Sequence, residues 1–277
     1  VTEGMAVTMH ANLDPTPLPD GLGPEVRIDG TRPLAELTAA VNAVCDEVEN
    51  RPERSVVVLR LDVTPADSRS WPGAVDVRQV NRWERAVRRF ERLAAMTIAA
   101  ARGACGGPAL DLLLAADFRI GAPDLLLMLP VNDGHFWPGM SLYRLVQHLG
   151  VARARQIVMW GNDISVDRAL ELGLIDQLSE DVAEAVHTAT VLMGRISDRE
   201  LAVRRQLLLE AGSADYDEAL GVHLAACDRA TASCAGWPPP RPRGHRGAPG
   251  DDSGPPARPG TPAPTAGTRP GARPRSC

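Results

Sequence analysis

Residues 96–120, M-T-I-A-A-A-R-G-A-C-G-G-P-A-L-D-L-L-L-A-A-D-F-R-I, gather a glycine-rich turn, a proline and two acids into one short run. The apolar segment 97–101 predicts a buried strand. Gly103, Gly106 and Gly107 predict a tight turn, and residues 108–116 predict a buried helix. A helix that starts at Pro108 is locally sound, because the first helical N–H has no acceptor within the helix and the ring fixes φ near the helical value. The same residue has a chemical consequence if this turn is an active site. Backbone N–H groups are what such a turn offers to a developing oxyanion, and proline has none.

Other side chains in and around this run could do chemistry. Asp111, inside L-D-L-L-L-A-A-D, suits either an acid/base role or a cap or ion pair within the helix. Asp133 and His135 could form an acid/base pair with a titratable imidazole, and they fit a solvated loop equally well. Cys105 has no histidine near it in sequence, so a small buried thiol suits it better than a nucleophile. Arg78, Arg82, Arg85, Arg88, Arg89 and Arg92 fall on a helix predicted over residues 75–95. Their default role is a solvated basic face paired with Glu84 and Glu91, and ligand phosphates are the alternative. Trp71, Trp83, Phe136 and Trp137 cluster around the motif loops of a chain with only 4% aromatic residues, which favours a packed pocket or a subunit interface.

The elements that must position these residues are legible upstream. Residues 26–30 predict a strand. Residues 32–50 predict an amphipathic helix with Leu34, Leu37, Val41, Val44, Cys45 and Val48 on its buried face, and S-V-V-V-L-R-L at 55–61 predicts a β-branched strand. A chain of 277 residues with 44% hydrophobic content can bury a sizeable core, and its net charge of −5 gives no overall basic field for nucleic acid. Cys45, Cys105, Cys227, Cys234 and Cys277 are scattered without a paired metal spacing, so no metal is expected. The absence of a signal-like N-terminal stretch and of a run of about 20 apolar residues predicts a cytoplasmic protein with reduced thiols and no membrane span. Residues 1–25 predict a flexible arm, 26–235 the folded domain, and 236–277, rich in Pro, Gly and Arg, a disordered tail.

The central run resembles the core motif of the crotonase (enoyl-CoA hydratase/isomerase) superfamily, N-G-x-A-x-G-G-G-x-E-L-A-x-x-C-D. Aligned on Asp117, Gly103 takes the first glycine, Gly107, Pro108 and Ala109 take the glycine triplet, and Asp111 takes the glutamate that is often an acid or base. The block at 150–178, G-V-A-R-A-R-Q-I-V-M-W-G-N-D-I-S-V-D-R-A-L-E-L-G-L-I-D-Q-L, is similar to the family's G-x-x-x-A-x-x-L-x-L-T-G-x-x-I-x-A-x-x-A-x-x-x-G-L-V-x-x-V. The resemblance covers residues 26 to about 192. It implies an α/β crotonase (ClpP/crotonase-like) fold of repeated ββα units with nearly perpendicular sheets, assembled as a homo-trimer or hexamer. No cofactor is implied; a coenzyme A thioester is the implied ligand.

The resemblance also locates what is missing. The middle triplet amide is one of two family oxyanion donors, and here it is Pro108. The other donor, from the family's F-x-A-G-A-D-L turn, corresponds to S-W-P-G-A-V-D-V at 70–77 and falls on Pro72, or else on Gly73. The second catalytic glutamate, from P-E-x-x-x-G-x-x-P-G-x-G-G-T, falls on Val131 in P-V-N-D-G-H-F-W-P-G-M-S-L. Losing one oxyanion donor typically costs about 3 kcal/mol of transition-state stabilisation, about a hundredfold in rate. These departures argue against ordinary enoyl-CoA hydration. Within the superfamily the variant loops are most similar to those of accessory crotonase-like proteins of dihydroxyphenylglycine biosynthesis. That likeness implies help to a type III polyketide synthase in making dihydroxyphenylacetyl-CoA from malonyl-CoA. Two alternatives stay open: an acyl-CoA hydratase or isomerase with a remodelled site using Asp111 or Asp133, and a noncatalytic subunit beside an active crotonase homologue.

Overall fold

In the computed structural model of the protein the residues described are 13–19, 21–51, 56–62, 75–132, 135–212 and 214–234. The chain runs β1 (Thr16–Pro17), β2 (Pro24–Asp29), α1 (Leu34–Glu49), β3 (Val56–Asp62), α2 (Val77–Glu91), β4 (Met96–Ala101), β5 (Ala104–Gly106), α3 (Gly107–Ala115) and β6 (Phe118–Gly121). It continues through β7 (Leu126–Met128), β8 (Val131–Asn132), β9 (His135–Phe136), α4 (Ser141–Trp160), β10 (Ile164–Ser165), α5 (Val166–Glu171), β11 (Gln177–Leu178), α6 (Val182–Met193), α7 (Asp198–Ala211) and α8 (Tyr216–Cys234). The described elements up to Ala232 belong to one unit.

Strands that are apolar at nearly every position must be covered on both faces, and β3 is such a strand. The main sheet has the order β1-β2-β3-β4-β6-β11, parallel throughout except for β1. Along β3, Val57, Leu59 and Leu61 join a large core with α1, α2 and α3, while Val56 and Val58 face the other way onto Ala185, Val186 and Ala189 of α6. The period-2 alternation of a strand therefore divides one apolar run between two layers. Helix α1 buries all six positions predicted for it. A smaller sheet, β10-β7-β5, and the two-stranded pair β8-β9 stand apart from the main sheet.

Trp83, expected on the helix over 75–95 and in a packed pocket or subunit interface, is fully buried on the inner face of α2. Three expectations are corrected. The glycine segment after β4 is not a simple turn, because Ala104–Gly106 forms strand β5 parallel to β7. Gly103 and Gly107, with φ of 58° and 53°, make the two bends on either side of it. The helix carrying the arginines is shorter than residues 75–95, starting after an Asp76–Gln79 capping box. Part of the expected arm is built into the body, since β1 pairs with β2 and Leu18 is buried.

Strand β4 delivers the chain to the carboxyl edge of the parallel sheet, where open α/β sheets hold their ligands. Gly103 and β5 carry it sideways, and α3 then starts with its N-terminus at that edge. Gly106 pairs with Met128 in register, and a side chain there would meet Met128 Cβ, Cε and O, each at 3.3 Å. That close approach brings the start of α3 beside the strand leading to Pro130 and the β8-β9 pair.

Candidate active site

The first turn of α3 is the candidate site. Gly107 has the left-handed backbone that lets the chain bend into Pro108, and Pro108 and Ala109 are both buried. The N-terminus of a helix ordinarily offers four N–H groups without intrahelical acceptors, and Pro108 removes one of them. No side chain caps this end. What the turn can still offer an oxyanion are the amides on either side of the proline.

Asp111 stands one turn further along α3, and only 1% of it is exposed. Its carboxylate accepts from Trp83 Nε1 at 3.0 Å and from Arg144 Nη1 at 3.3 Å. Arg144 in turn donates through Nη2 to Glu84 Oε2 at 3.1 Å. The acid thus pairs across three helices rather than within its own. Burial pushes the Asp111 carboxyl up to about 7, and Arg144 opposes that rise. Glu84, expected to neutralise the arginines of its own helix, instead faces α4, and its Oε1 is buried without a hydrogen-bond partner. Glu91 does pair with Arg88 as expected.

The remaining predicted positions divide into those the structure describes and those outside it. Val131 pairs with Phe136 across β8 and β9, and Asn132 pairs with His135. The Trp137 N–H closes this loop on the Pro130 carbonyl at 2.9 Å. His135 and Phe136 are exposed, and Trp137 is half-buried against the core. His135 makes no hydrogen bond to Asp111. Trp71, Pro72, Gly73 and Asp133 lie outside the described residues, so the second donor position and the proposed Asp133–His135 pair have no geometry here. Cys105 is buried, and burial pushes its thiol up to about 12, far from a thiolate nucleophile. Among the described residues no three His, Cys, Asp or Glu side chains converge on a metal position.

The residues that sequence reasoning missed are the partners of Asp111. Arg144 sits in L-Y-R-L-V, where its only signal is a charge among apolar neighbours. Trp83, already singled out in the sequence as part of an aromatic cluster, lies in helical spacing with Ala86, Val87 and Phe90 on the buried face of α2, and only its pairing with Asp111 was not foreseen.

A profile of the enoyl-CoA hydratase/isomerase family matches residues 78–229. A protein of Amycolatopsis orientalis named enoyl-CoA-hydratase is 46% identical over 206 residues, 74% of this chain and 94% of its own length. The chain belongs to the enoyl-CoA hydratase/isomerase family. Its crotonase fold is shared with an enoyl-CoA hydratase/isomerase from Marinobacter aquaeolei (TM-score 0.64, 18% identity, 81% of this chain and 92% of that one). It is also shared with a Thermobifida fusca structure of the enoyl-CoA hydratase type, solved in complex with CoA (TM-score 0.63, 18% identity, 80% and 95%). At the residues that the sequence resemblance singles out, the structure shows the bends at Gly103 and Gly107, a helix that opens on Pro108, and an Asp111 occupied by an indole and a guanidinium. Among the described residues no helix is long and apolar enough to cross a membrane.

Proposed function

We propose that this crotonase-fold protein assists a type III polyketide synthase in forming dihydroxyphenylacetyl-CoA from malonyl-CoA, with a coenzyme A thioester as its ligand. The observation that carries this is the first turn of α3, where Pro108 replaces an N–H donor and Asp111 is engaged by Trp83 and Arg144. An acyl-CoA held there meets a weakened oxyanion site and no free carboxylate on α3. Such a site suits holding and orienting a reactive polyketide thioester better than adding water to it. The similarity of the variant loops to accessory crotonases supports the pathway. A homo-trimer or hexamer in the cytoplasm is the form proposed for it.

A second reading has its own support. Asp111 at about 7 is placed to exchange a proton near neutrality, as a hydratase or isomerase with a remodelled site requires. The name of the Amycolatopsis relative agrees with that reading.

The deciding experiment incubates malonyl-CoA with a type III polyketide synthase that forms dihydroxyphenylacetyl-CoA, with and without the purified protein. Dose-dependent enhancement of dihydroxyphenylacetyl-CoA, with no product from the protein alone, is expected. An unchanged yield at every ratio rejects the accessory role.

A further inference from the structure

Two carboxyl groups share one guanidinium beside the first turn of α3. Arg144 donates through Nη1 to Asp111 Oδ1 at 3.3 Å and through Nη2 to Glu84 Oε2 at 3.1 Å. A guanidinium that meets a single carboxylate can close on it as a two-pronged fork, the strongest form of the pair. Here the fork is split, one prong to each acid. The side chains of Asp111, Arg144 and Glu84 are 2%, 5% and 18% exposed, so a group with one positive charge and two acids lies nearly out of water. Arginine does not give up its proton in a protein. The surplus negative charge is therefore relieved by a proton on one of the acids.

The geometry selects Asp111 for that proton. It is the deeper of the two acids, and its bond to Arg144 is the longer. Among the described residues Arg144 is the only donor to Glu84, whose Oε1 is buried without a hydrogen-bond partner. Giving Arg144 wholly to Asp111 would strand a buried charge on Glu84. Burial and the Glu84 charge accordingly raise the Asp111 carboxyl, while Arg144 opposes them. Little else nearby alters this balance. Of the strands packed against α3, β4, β5 and β7 carry no charged residue, and the Cys105 thiol of β5, pushed up to about 12, stays neutral. Strand β3 brings Arg60, paired with Glu25, and Asp62 at its end. On α2 the next acid, Glu91, belongs to Arg88, and on α4 the His148 ring is bonded at the Leu114 carbonyl.

We infer that Glu84 is a positioning residue for Asp111: by holding one prong of Arg144 it keeps the acid at 111 neutral. The consequence for the candidate site is electrostatic. Asp111 stands one turn from the start of α3, and a full negative charge there would oppose the charge that a carbonyl oxygen develops at that turn. A neutral Asp111 removes the repulsion at a turn that has already lost the Pro108 donor. This benefit to a bound thioester rests on the function proposed above. The charge state itself does not, and it is read from the Asp111 carboxyl without any ligand, so either can fail without the other.

The test titrates the full chain with carbon-13 in its aspartate carboxyls and follows them by NMR, the Asp111 signal being the one absent from Asp111→Asn. The wild-type signal should titrate with a midpoint near 7. In Glu84→Gln, Arg144 is free to close on Asp111, and the ratio of charged to neutral acid at a fixed pH should rise about tenfold or more. Glu91→Gln removes an equal charge from α2 at a carboxylate held by Arg88, and should change that ratio less than about twofold. Circular dichroism and the thermal midpoint establish that the variants fold. If Glu84→Gln does not, the wild type is labelled instead at its glutamate carboxyls: one glutamate signal should follow the Asp111 midpoint and lose that inflection in Asp111→Asn. An Asp111 midpoint unmoved in Glu84→Gln, an equal movement in Glu91→Gln, or no glutamate signal that follows Asp111 would each overturn the inference.

Discussion

Asp111 shows how a buried carboxylate can be held by neighbours from other helices. Its partners, Trp83 and Arg144, satisfy a carboxylate that is almost wholly out of water. Removing one member of a buried ion pair typically costs about 3–5 kcal/mol, because the other charge is left stranded. The position therefore carries stability as well as any chemistry. Its raised carboxyl has a definite sign in pH. The unfolded acid titrates near 3.8 and the folded one near 7, so the folded state holds the extra proton between those values. Stability from this group is present below the unfolded value and declines as pH rises through about 7. His148, whose ring is hydrogen-bonded at the Leu114 carbonyl at 2.8 Å, runs the other way. Burial lowers its imidazole, so it destabilises the fold as pH falls below its ordinary range. Urea unfolding of the wild type and of Asp111→Asn isolates the first effect: the wild type should lose stability relative to the variant between about pH 4 and pH 7. A difference that is flat or rises with pH would show that the carboxyl is not held protonated by burial.

Helix α3 and the strand before it determine what the site can present. Pro108 needs a preceding residue that can bend the chain, and Gly107 does so at φ 53°. An alanine at 107 would carry a Cβ in the left-handed region, at a cost of about 1–2 kcal/mol. Gly107→Ala should lower the unfolding free energy by that amount in urea titration, and a neutral result would mean the bend is relieved elsewhere. The elements themselves were largely legible. The six buried positions of α1 and the apolar run of β3 follow from period and branching, whereas the start of α2 is set by a local hydrogen-bonding pair, Asp76 and Gln79, that the helical period does not mark. Strand β5 was not legible, because three residues flanked by glycines look like a turn, and only the pairing with Leu126–Met128 makes them a strand. The partners of Asp111 were hidden for a related reason. Arg144 and Trp83 lie 33 and 28 residues from it in sequence, and only the packing of α2, α3 and α4 brings them together.

Across the whole molecule, the evidence for the scaffold and the evidence for the site are of different kinds. The parallel sheet, its two covering layers and the turn at the carboxyl edge of β4 make a fold shared with enoyl-CoA hydratase-type proteins at 16–19% identity. The proposed loss of ordinary hydration rests on a few positions along that edge, Pro108 and Val131, which the sequence resemblance sets where a donor and an acid are expected. Fold and site respond to different pressures on the sequence: a buried strand tolerates any apolar residue of suitable size, whereas an oxyanion donor tolerates no proline. The sequence therefore reported the scaffold through pattern and the site through individual exceptions. The central claim, that this scaffold no longer hydrates enoyl thioesters on its own, is tested most directly by the turnover of crotonyl-CoA with the purified protein, its Asp111→Asn variant and its Pro108→Gly variant. The account predicts rates at background for the wild type and for Asp111→Asn, and at most about a tenfold gain for Pro108→Gly, which restores an amide without restoring the acid at 131. Robust wild-type turnover that Asp111→Asn abolishes would contradict it and establish a remodelled hydratase.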